Sequence, residues 1–262
     1  MKPSYLKNLR DVINEDTIAK LITHILPNYP QLNEERLVAE LFPRIHELSL
    51  FDRIRFSAEI LHNHLPENYA DSLQILLQSL PPARNSDGYG TENYFMLIYC
   101  RYISLFGLAN PEISLPALAE MTPCYTSEFD VRPFIAKYPT ETFQYLELLT
   151  QESCQHKRRL ASEACRSRLP MATHLKIAKD RPDLVESVLE KLHHDKSRYV
   201  QKSVANNLAD MLKDNPDYAF NLITKWIDNW GEETRWIVKH SLRTPYRKGN
   251  VSAIGIFTKH QL

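Results

Sequence analysis

Lys157-Arg158-Arg159-Leu160-Ala161-Ser162-Glu163-Ala164, then Tyr199-Val200-Gln201-Lys202-Ser203-Val204-Ala205-Asn206-Asn207-Leu208, then Arg235-Trp236-Ile237-Val238-Lys239-His240-Ser241-Leu242-Arg243 are three versions of one pattern. In each, a basic start leads into small and apolar positions at helical spacing. Setting Arg159, Lys202 and Trp236 as equivalent gives offsets of 43 and 34 residues, near the ~40-residue period of HEAT and armadillo units. Arg132, in Val131-Arg132-Pro133-Phe134, begins a fourth and looser copy. Units of this kind cannot bury their apolar faces alone, so they stack. The pattern predicts an all-α protein, an α-α superhelix (solenoid) of HEAT-like helical repeats, with basic helix starts aligned along one concave edge. Helix N-termini offer free N–H groups and partial positive charge to a phosphate backbone. A protein-binding solenoid with ordinary surface charge would show the same pattern, and the repeats alone do not choose between the two.

Working outward, short apolar stripes recur along the whole chain, such as Ile18, Leu21, Ile22 and Ile25, or Leu184, Val188, Leu189 and Leu192. Breaks fall at Pro27 to Pro30, Pro66, Pro81-Pro82, Pro111, Pro139, Pro182 and Pro216, as expected for many short helices. Gly is scarce, at 6 of 262 residues, which also favours helix. The stretch 81–93 collects turn formers and is the candidate long loop. It divides an N-terminal helical cap, 1–80, from a repeat stack, 94–262, unless the two form one continuous domain.

The 32 basic and 32 acidic residues cancel overall, which argues against a general nucleic-acid binder. The halves differ, however. Residues 1–130 hold 10 Lys and Arg against 17 Asp and Glu, whereas 131–262 hold 22 against 15. If either half faces a polyanion, it is the second. Cys100, Cys124, Cys154 and Cys165 show no CxxC spacing and read as reduced thiols. The N-terminus lacks the apolar run of a signal peptide, and no window approaches a membrane span. The expectation is a soluble cytoplasmic protein that engages no membrane.

The densest segment runs from Lys157 to Met171, with Lys157, Arg158, Arg159, Arg166 and Arg168 around a single carboxylate, Glu163. Arg159 and Glu163 are four apart and share a helix face. As a surface ion pair they contribute only a few tenths of a kcal/mol, on the order of 0.3; as a site they set a carboxylate among cations that steer phosphates. His62-Asn63-His64 and His193-His194 lack metal-site spacing, and no GxGxxG or P-loop is present, so neither metal nor nucleotide cofactor is expected. The stripe Trp226, Trp230 and Trp236 reads as core.

Five blocks in fixed order now carry a resemblance: Thr126-Ser127-Glu128-Phe129-Asp130-Val131-Arg132-Pro133-Phe134; Arg158-Arg159-Leu160-Ala161-Ser162-Glu163; Arg166-Ser167-Arg168-Leu169-Pro170; Ser203-Val204-Ala205-Asn206-Asn207-Leu208-Ala209-Asp210; and His240-Ser241-Leu242-Arg243-Thr244 with Lys248-Gly249. Over roughly residues 118–257 the chain resembles the AlkC branch of the DNA alkylation repair proteins, the HEAT-like repeat DNA glycosylases. The resemblance implies a base excision repair hydrolase that cleaves the N-glycosidic bond of cationic alkylated bases, such as 3-methyladenine and 3-methylcytosine, in double-stranded DNA. It implies catalytic carboxylates at Glu163 and Glu128 and a further acid near the lesion at Asp210. Arg159 matches a backbone-contacting arginine. Arg158, Arg166, Arg168, Lys202, Arg243 and Lys248 are the accompanying phosphate-binding candidates. Glu128, after Thr126-Ser127, also suits a plain helix-starting acid, and Asp210 a solvated one.

Three positions depart from the family pattern. Met171 stands where the family carries a Trp that lies against the damaged nucleotide, and Met has no π-face for cation–π contact. Ala164 replaces a Gly, and Ser167 a Pro. Some relatives also append, past the position of Leu262, an immunoglobulin-like domain that grips the DNA; the expectation without it is binding that is weaker or more dependent on the helical stack. The alternative to an enzyme is a non-catalytic module, binding DNA damage or other proteins, in which the aromatic partner of the cation is gone.

Overall fold

The computed structural model describes residues 9–84, 87, 92–228 and 230–262. Among the described residues it contains fifteen α-helices, one 3₁₀ turn and no strand, so the expected all-α class holds. The turn-rich stretch is described at 81–84, 87, 92 and 93, where it is not helical. Residues 85, 86 and 88–91, also expected to be loop, lie outside the described residues.

Local chemistry sets the helix ends. Asn14, Asn33, Asn68 and Asn250 each accept a backbone N–H of the first turn with the side-chain oxygen, which satisfies one of the donors a helix leaves open. Pro111, Pro139, Pro182 and Pro216 occupy the first helical position, where the missing N–H loses nothing.

The helices group into two compact units, Met1–Val131 and Arg132–Leu262. Val131 is uncharged, so the charge asymmetry read from the sequence follows this division, −7 for the first unit and +7 for the second. The first unit contains α1 (Glu15–Ile25), α2 (Glu34–Ile45), α3 (Leu50–His64), α4 (Tyr69–Gln78), α5 (Met96–Phe106) and α6 (Pro111–Met121). The start of α7 (Glu128–Lys137) belongs to it as well. Its core includes Ile18, Leu21, Ile22, Leu37, Leu41, Tyr99 and Tyr102. The buried Arg53 guanidinium donates to the carbonyls of Ile13, His46 and Leu48.

The second unit is a series of helical hairpins. α8 (Pro139–Leu149) pairs with α9 (Gln155–Ala164), and α11 (Pro182–Leu192) with α12 (Arg198–Asp214). α13 (Pro216–Ile227) pairs with α14 (Glu232–Arg247), and α15 (Val251–His260) closes on α14. A short α10 (Lys176–Asp180) leads into α11. α9, α12 and α14 lie side by side in one layer, α12 packing on both of the others. The repeat anchors Arg159, Lys202 and Trp236 each fall at the fifth residue of their helix. The register inferred from the sequence is thus the structural one, but the anchors sit a full turn inside the helices instead of opening them.

Candidate active site in the second unit

The second helix of each hairpin supplies the site. Glu163 is on the last turn of α9, and its carboxylate faces α12. Its Oε1 accepts Arg166 Nη1 at 2.6 Å and lies 3.6 Å from Arg159 Nη2, while Oε2 accepts the Ser203 hydroxyl at 2.6 Å. Arg166 reaches onward to Asp210 Oδ2, 2.9 Å from Nε and 2.8 Å from Nη2. Asp210 Oδ1 then takes Lys213 Nζ at 2.9 Å. Arg159, Glu163, Arg166, Asp210 and Lys213 form one chain of alternating charge.

Burial makes this chain consequential. Glu163 is 5% exposed, Arg166 7% and Asp210 2%. The pair Arg159–Glu163 is therefore an internal pair, and the weak surface reading of it does not apply. Burial alone pushes the Glu163 carboxyl up, but Arg159 and Arg166, with the Ser203 hydroxyl, outweigh it and hold the group below the ordinary carboxylate range. Glu163 is an anion at neutral pH. Burial pulls the Arg166 guanidinium down, and Glu163 and Asp210 more than restore it, leaving it above its usual value.

A groove of about 300 Å³ opens beside this centre, lined by Arg166, Asp210 and Lys213 on one side and by His240, Arg243 and Lys248 on the other. Lys202, Arg243 and Lys248 are exposed, and none has a carboxylate partner among the described residues. The other expected phosphate ligands are placed differently. Arg158 donates to Asp195 at 2.6 Å and to the carbonyls of Glu152 and Ser153. Arg168 donates to Asp214 at 2.6 Å. Arg159 is buried, its guanidinium 5.2 Å over the Tyr199 ring. Arg158, Arg159, Arg166 and Arg168 thus neutralise carboxylates inside the unit or at its edge, and of the seven expected phosphate ligands Lys202, Arg243 and Lys248 are the three without a carboxylate partner among the described residues.

Arg132, at the start of the second unit, reads from sequence only as a repeat start. Its guanidinium donates to the carbonyls of Ala164 (3.1 Å), Arg166 (2.7 Å) and Thr173 (2.6 Å), clamping the segment that leaves α9. That segment carries Met171, which is 60% exposed and has φ of 65°, a left-handed conformation that side chains with a Cβ adopt at a cost.

Asp195 and Asp214 are site residues outside the sequence motifs, and Ser203, inside the fourth block, carries no role there; Lys213 lies one turn beyond Asp210. A signal for them exists. The separations Glu163–Ser203, Arg166–Asp210, Arg168–Asp214 and Arg158–Asp195 are 40, 44, 46 and 37 residues, each near one repeat, as nearest-neighbour stacking requires.

Glu128 is the third expected carboxylate and belongs to the first unit, as the first residue of α7 and 1% exposed. Two residues on, burial drives the Asp130 carboxyl up; Arg101, 3.1 Å away, and the Ser104 hydroxyl at 2.7 Å oppose this, and the Glu128 charge adds to it, so Asp130 stays above its ordinary range. Arg166 brings Glu163 and Asp210 together; Glu128 lies in the other unit. Among the described residues, no group of three or more His, Cys, Asp or Glu side chains could hold a metal ion, and no helix is long and apolar enough to cross a membrane. The four cysteines are free.

The stacked helical hairpins have a counterpart of known structure. The alkylpurine DNA glycosylase AlkC of Pseudomonas fluorescens, solved bound to DNA containing an abasic site analog, matches 95% of this chain and 67% of its own with a TM-score of 0.85 at 30% identity. The chain is a helical-repeat protein with the fold of an alkylpurine DNA glycosylase. The uncharacterized protein YhaZ of Bacillus subtilis (strain 168) is 36% identical over 258 residues, 96% of this chain and 68% of YhaZ. No protein-family model matches the chain. It belongs to the AlkC family of DNA alkylation repair proteins.

Proposed function

We propose that this protein is a DNA glycosylase of base excision repair that releases cationic alkylated bases, 3-methyladenine and 3-methylcytosine among them, from double-stranded DNA. The observation that carries the proposal is Glu163, an anion buried between Arg159 and Arg166, the second of which lines a groove bordered by Arg243 and Lys248, cations without a carboxylate partner among the described residues. A cationic base is already a good leaving group. As the C1′–N bond breaks, its electron pair goes to the base and neutralises it, leaving positive charge on the sugar. A fixed carboxylate stabilises that charge and accepts a hydrogen bond from the water that attacks C1′, whose proton passes to the carboxylate or to solvent. The products are the free base and an abasic site.

In this reading Glu163 and Glu128 are each catalytic carboxylates, as the family resemblance implies, Asp210 supports the lesion end, and Lys202, Arg243 and Lys248 bind backbone phosphates. Arg158, Arg159, Arg166 and Arg168 act chiefly by setting the charge and position of the carboxylates. The protein works as a monomer, without a cofactor, in the cytoplasm at the nucleoid.

Release of free 3-methyladenine from methylated duplex DNA tests this. Wild-type release that disappears in Glu163→Gln supports the reading. No release by the wild type, with activity appearing in Met171→Trp, favours the second reading, a damage-binding or scaffold module without catalysis; the exposed Met171, which offers no aromatic face, is the observation behind that alternative.

A further inference from the structure

Trp236 reads from sequence as core, but it is only half-buried. The Arg198 guanidinium, from the start of α12, lies 4.2 Å over its indole. One turn along α14, the His240 ring stacks on the same indole, with centroids 4.6 Å apart and planes 22° apart. Arg243 Nη1 then stands 2.8 Å from His240 Nε2. The result is a guanidinium, indole, imidazole, guanidinium ladder across two neighbouring helices. Its inner end, His240 and Arg243, lines the groove that holds Asp210. Arg198 and Arg243 are exposed, and neither has a carboxylate partner among the described residues.

Two stacked aromatics here hold guanidinium groups at fixed spacing, which lowers the entropy lost when an anion binds. The central rung is also titratable. We propose that Arg198, Lys202, His240 and Arg243, braced by Trp236, form a track for the DNA backbone, and that His240 takes up a proton when a backbone phosphate arrives beside it and Arg243. The proposal rests on the DNA-binding reading above and adds a proton-linked ligand to it.

The charges acting on His240 are Arg243 on its own helix and Lys202 and Arg198 on α12; α13 and α15, the other helices packed on α14, add none among the described residues. Burial, then these three cations, hold the imidazole below its ordinary value, so the free protein keeps it neutral and able to accept from Arg243. A phosphate placed beside His240 and Arg243 opposes the field of these cations. The imidazolium becomes the favoured form and donates to a phosphate oxygen, the proton coming from solvent. Affinity for DNA then rises as pH falls.

The test is equilibrium binding of a fluorescent, undamaged duplex at pH 6 and pH 8, at constant ionic strength, by wild type, His240→Gln and Arg198→Gln. The expected result is several-fold tighter binding at pH 6 for the wild type and Arg198→Gln, with Arg198→Gln weaker at both, and little pH effect for His240→Gln. A histidine NMR titration with and without duplex should also raise the His240 pKa on binding, a readout independent of any variant. Duplex binding whose pH dependence is absent, or is unchanged in His240→Gln, overturns this inference alone. Absence of duplex binding at every pH and salt concentration overturns it together with the DNA-binding reading.

Discussion

Arg132 donates to the main-chain carbonyl of Arg166 at 2.7 Å, so one buried arginine fixes the backbone from which another reaches both Glu163 and Asp210. The same guanidinium holds Ala164 and Thr173. Arg132→Met removes all three bonds and leaves acceptors without a donor, for a loss of about 3 kcal/mol. Denaturant unfolding checks this; a loss below about 1 kcal/mol would show that the segment after α9 holds itself in place.

Glu163→Gln keeps the shape of the side chain and removes its charge. Arg159 and Arg166 are then left with one buried anion fewer, a change on the order of 3 kcal/mol. If Glu163 faces the developing sugar cation, base release falls by roughly 100-fold or more. The folded carboxyl is held below its ordinary value, so the stability it contributes is present above the unfolded pKa and lost as pH falls through the folded one. The variant should accordingly show a shallower loss of stability on acidification below about pH 4.5, read from unfolding midpoints; identical wild-type and variant profiles there would contradict the assignment of charge.

The periodic helices, their proline breaks and the repeat register were legible because each depends on residues near one another in sequence. Glu163 and Asp210 could be named from the family motifs. Their environment could not, because Arg166 meets Asp210 44 residues away and Arg168 meets Asp214 at 46. A run of arginines reads as a cationic face until the partners of each are known. Here the partners turn four of the seven expected phosphate ligands inward, and the ladder at Trp236 turns a tryptophan from expected core into a surface brace.

That division predicts two classes of charge variant. Lys202→Gln and Arg243→Gln each remove an unpaired cation, and each should reduce the slope of log K against log salt for duplex binding by about 0.9 if it contacts a phosphate. Arg168→Gln breaks an ion pair with Asp214 and should leave the slope nearly unchanged. Equal slopes for all three proteins would mean that the pairing within the unit does not decide which cations meet DNA.

His193 gives an acid response of separate origin. Its ring stacks on Trp226 at 4.5 Å and faces the Thr234 hydroxyl at 3.0 Å; burial first, then the neighbouring His194, pushes its pKa down to about 4. Glu190 Oε2, 3.8 Å away, is too far to reverse this, and the other oxygen of that carboxylate accepts from the Trp226 indole. The folded state binds fewer protons than the unfolded chain between pH 6.5 and about 4, so the contribution is complete above pH 6.5 and is lost as pH falls across that window. His193→Phe keeps the stacking and has nothing to protonate. Its melting temperature should decline less than that of the wild type between pH 6.5 and 4; an equal decline would place the sensitive group elsewhere.

Met171 combines a left-handed backbone with an exposed side chain in the segment that Arg132 clamps. A Cβ in that conformation costs about 1 kcal/mol relative to glycine, and an exposed thioether gains little from burial to offset it. Met171→Gly should therefore raise stability, by roughly 0.5–1 kcal/mol after allowance for the greater freedom of glycine in the unfolded chain. If the strained Met is kept because it touches the damaged nucleotide, the same variant should release less 3-methyladenine while binding undamaged duplex as the wild type does. Met171→Trp should then exceed the wild type, since an indole offers the cation a π-face worth on the order of 1 kcal/mol or more. Gly, Met and Trp form a graded series at one position, with stability and base release moving in opposite directions between the first two. A gain in stability with no change in release would mean that Met171 is strained without reaching the lesion.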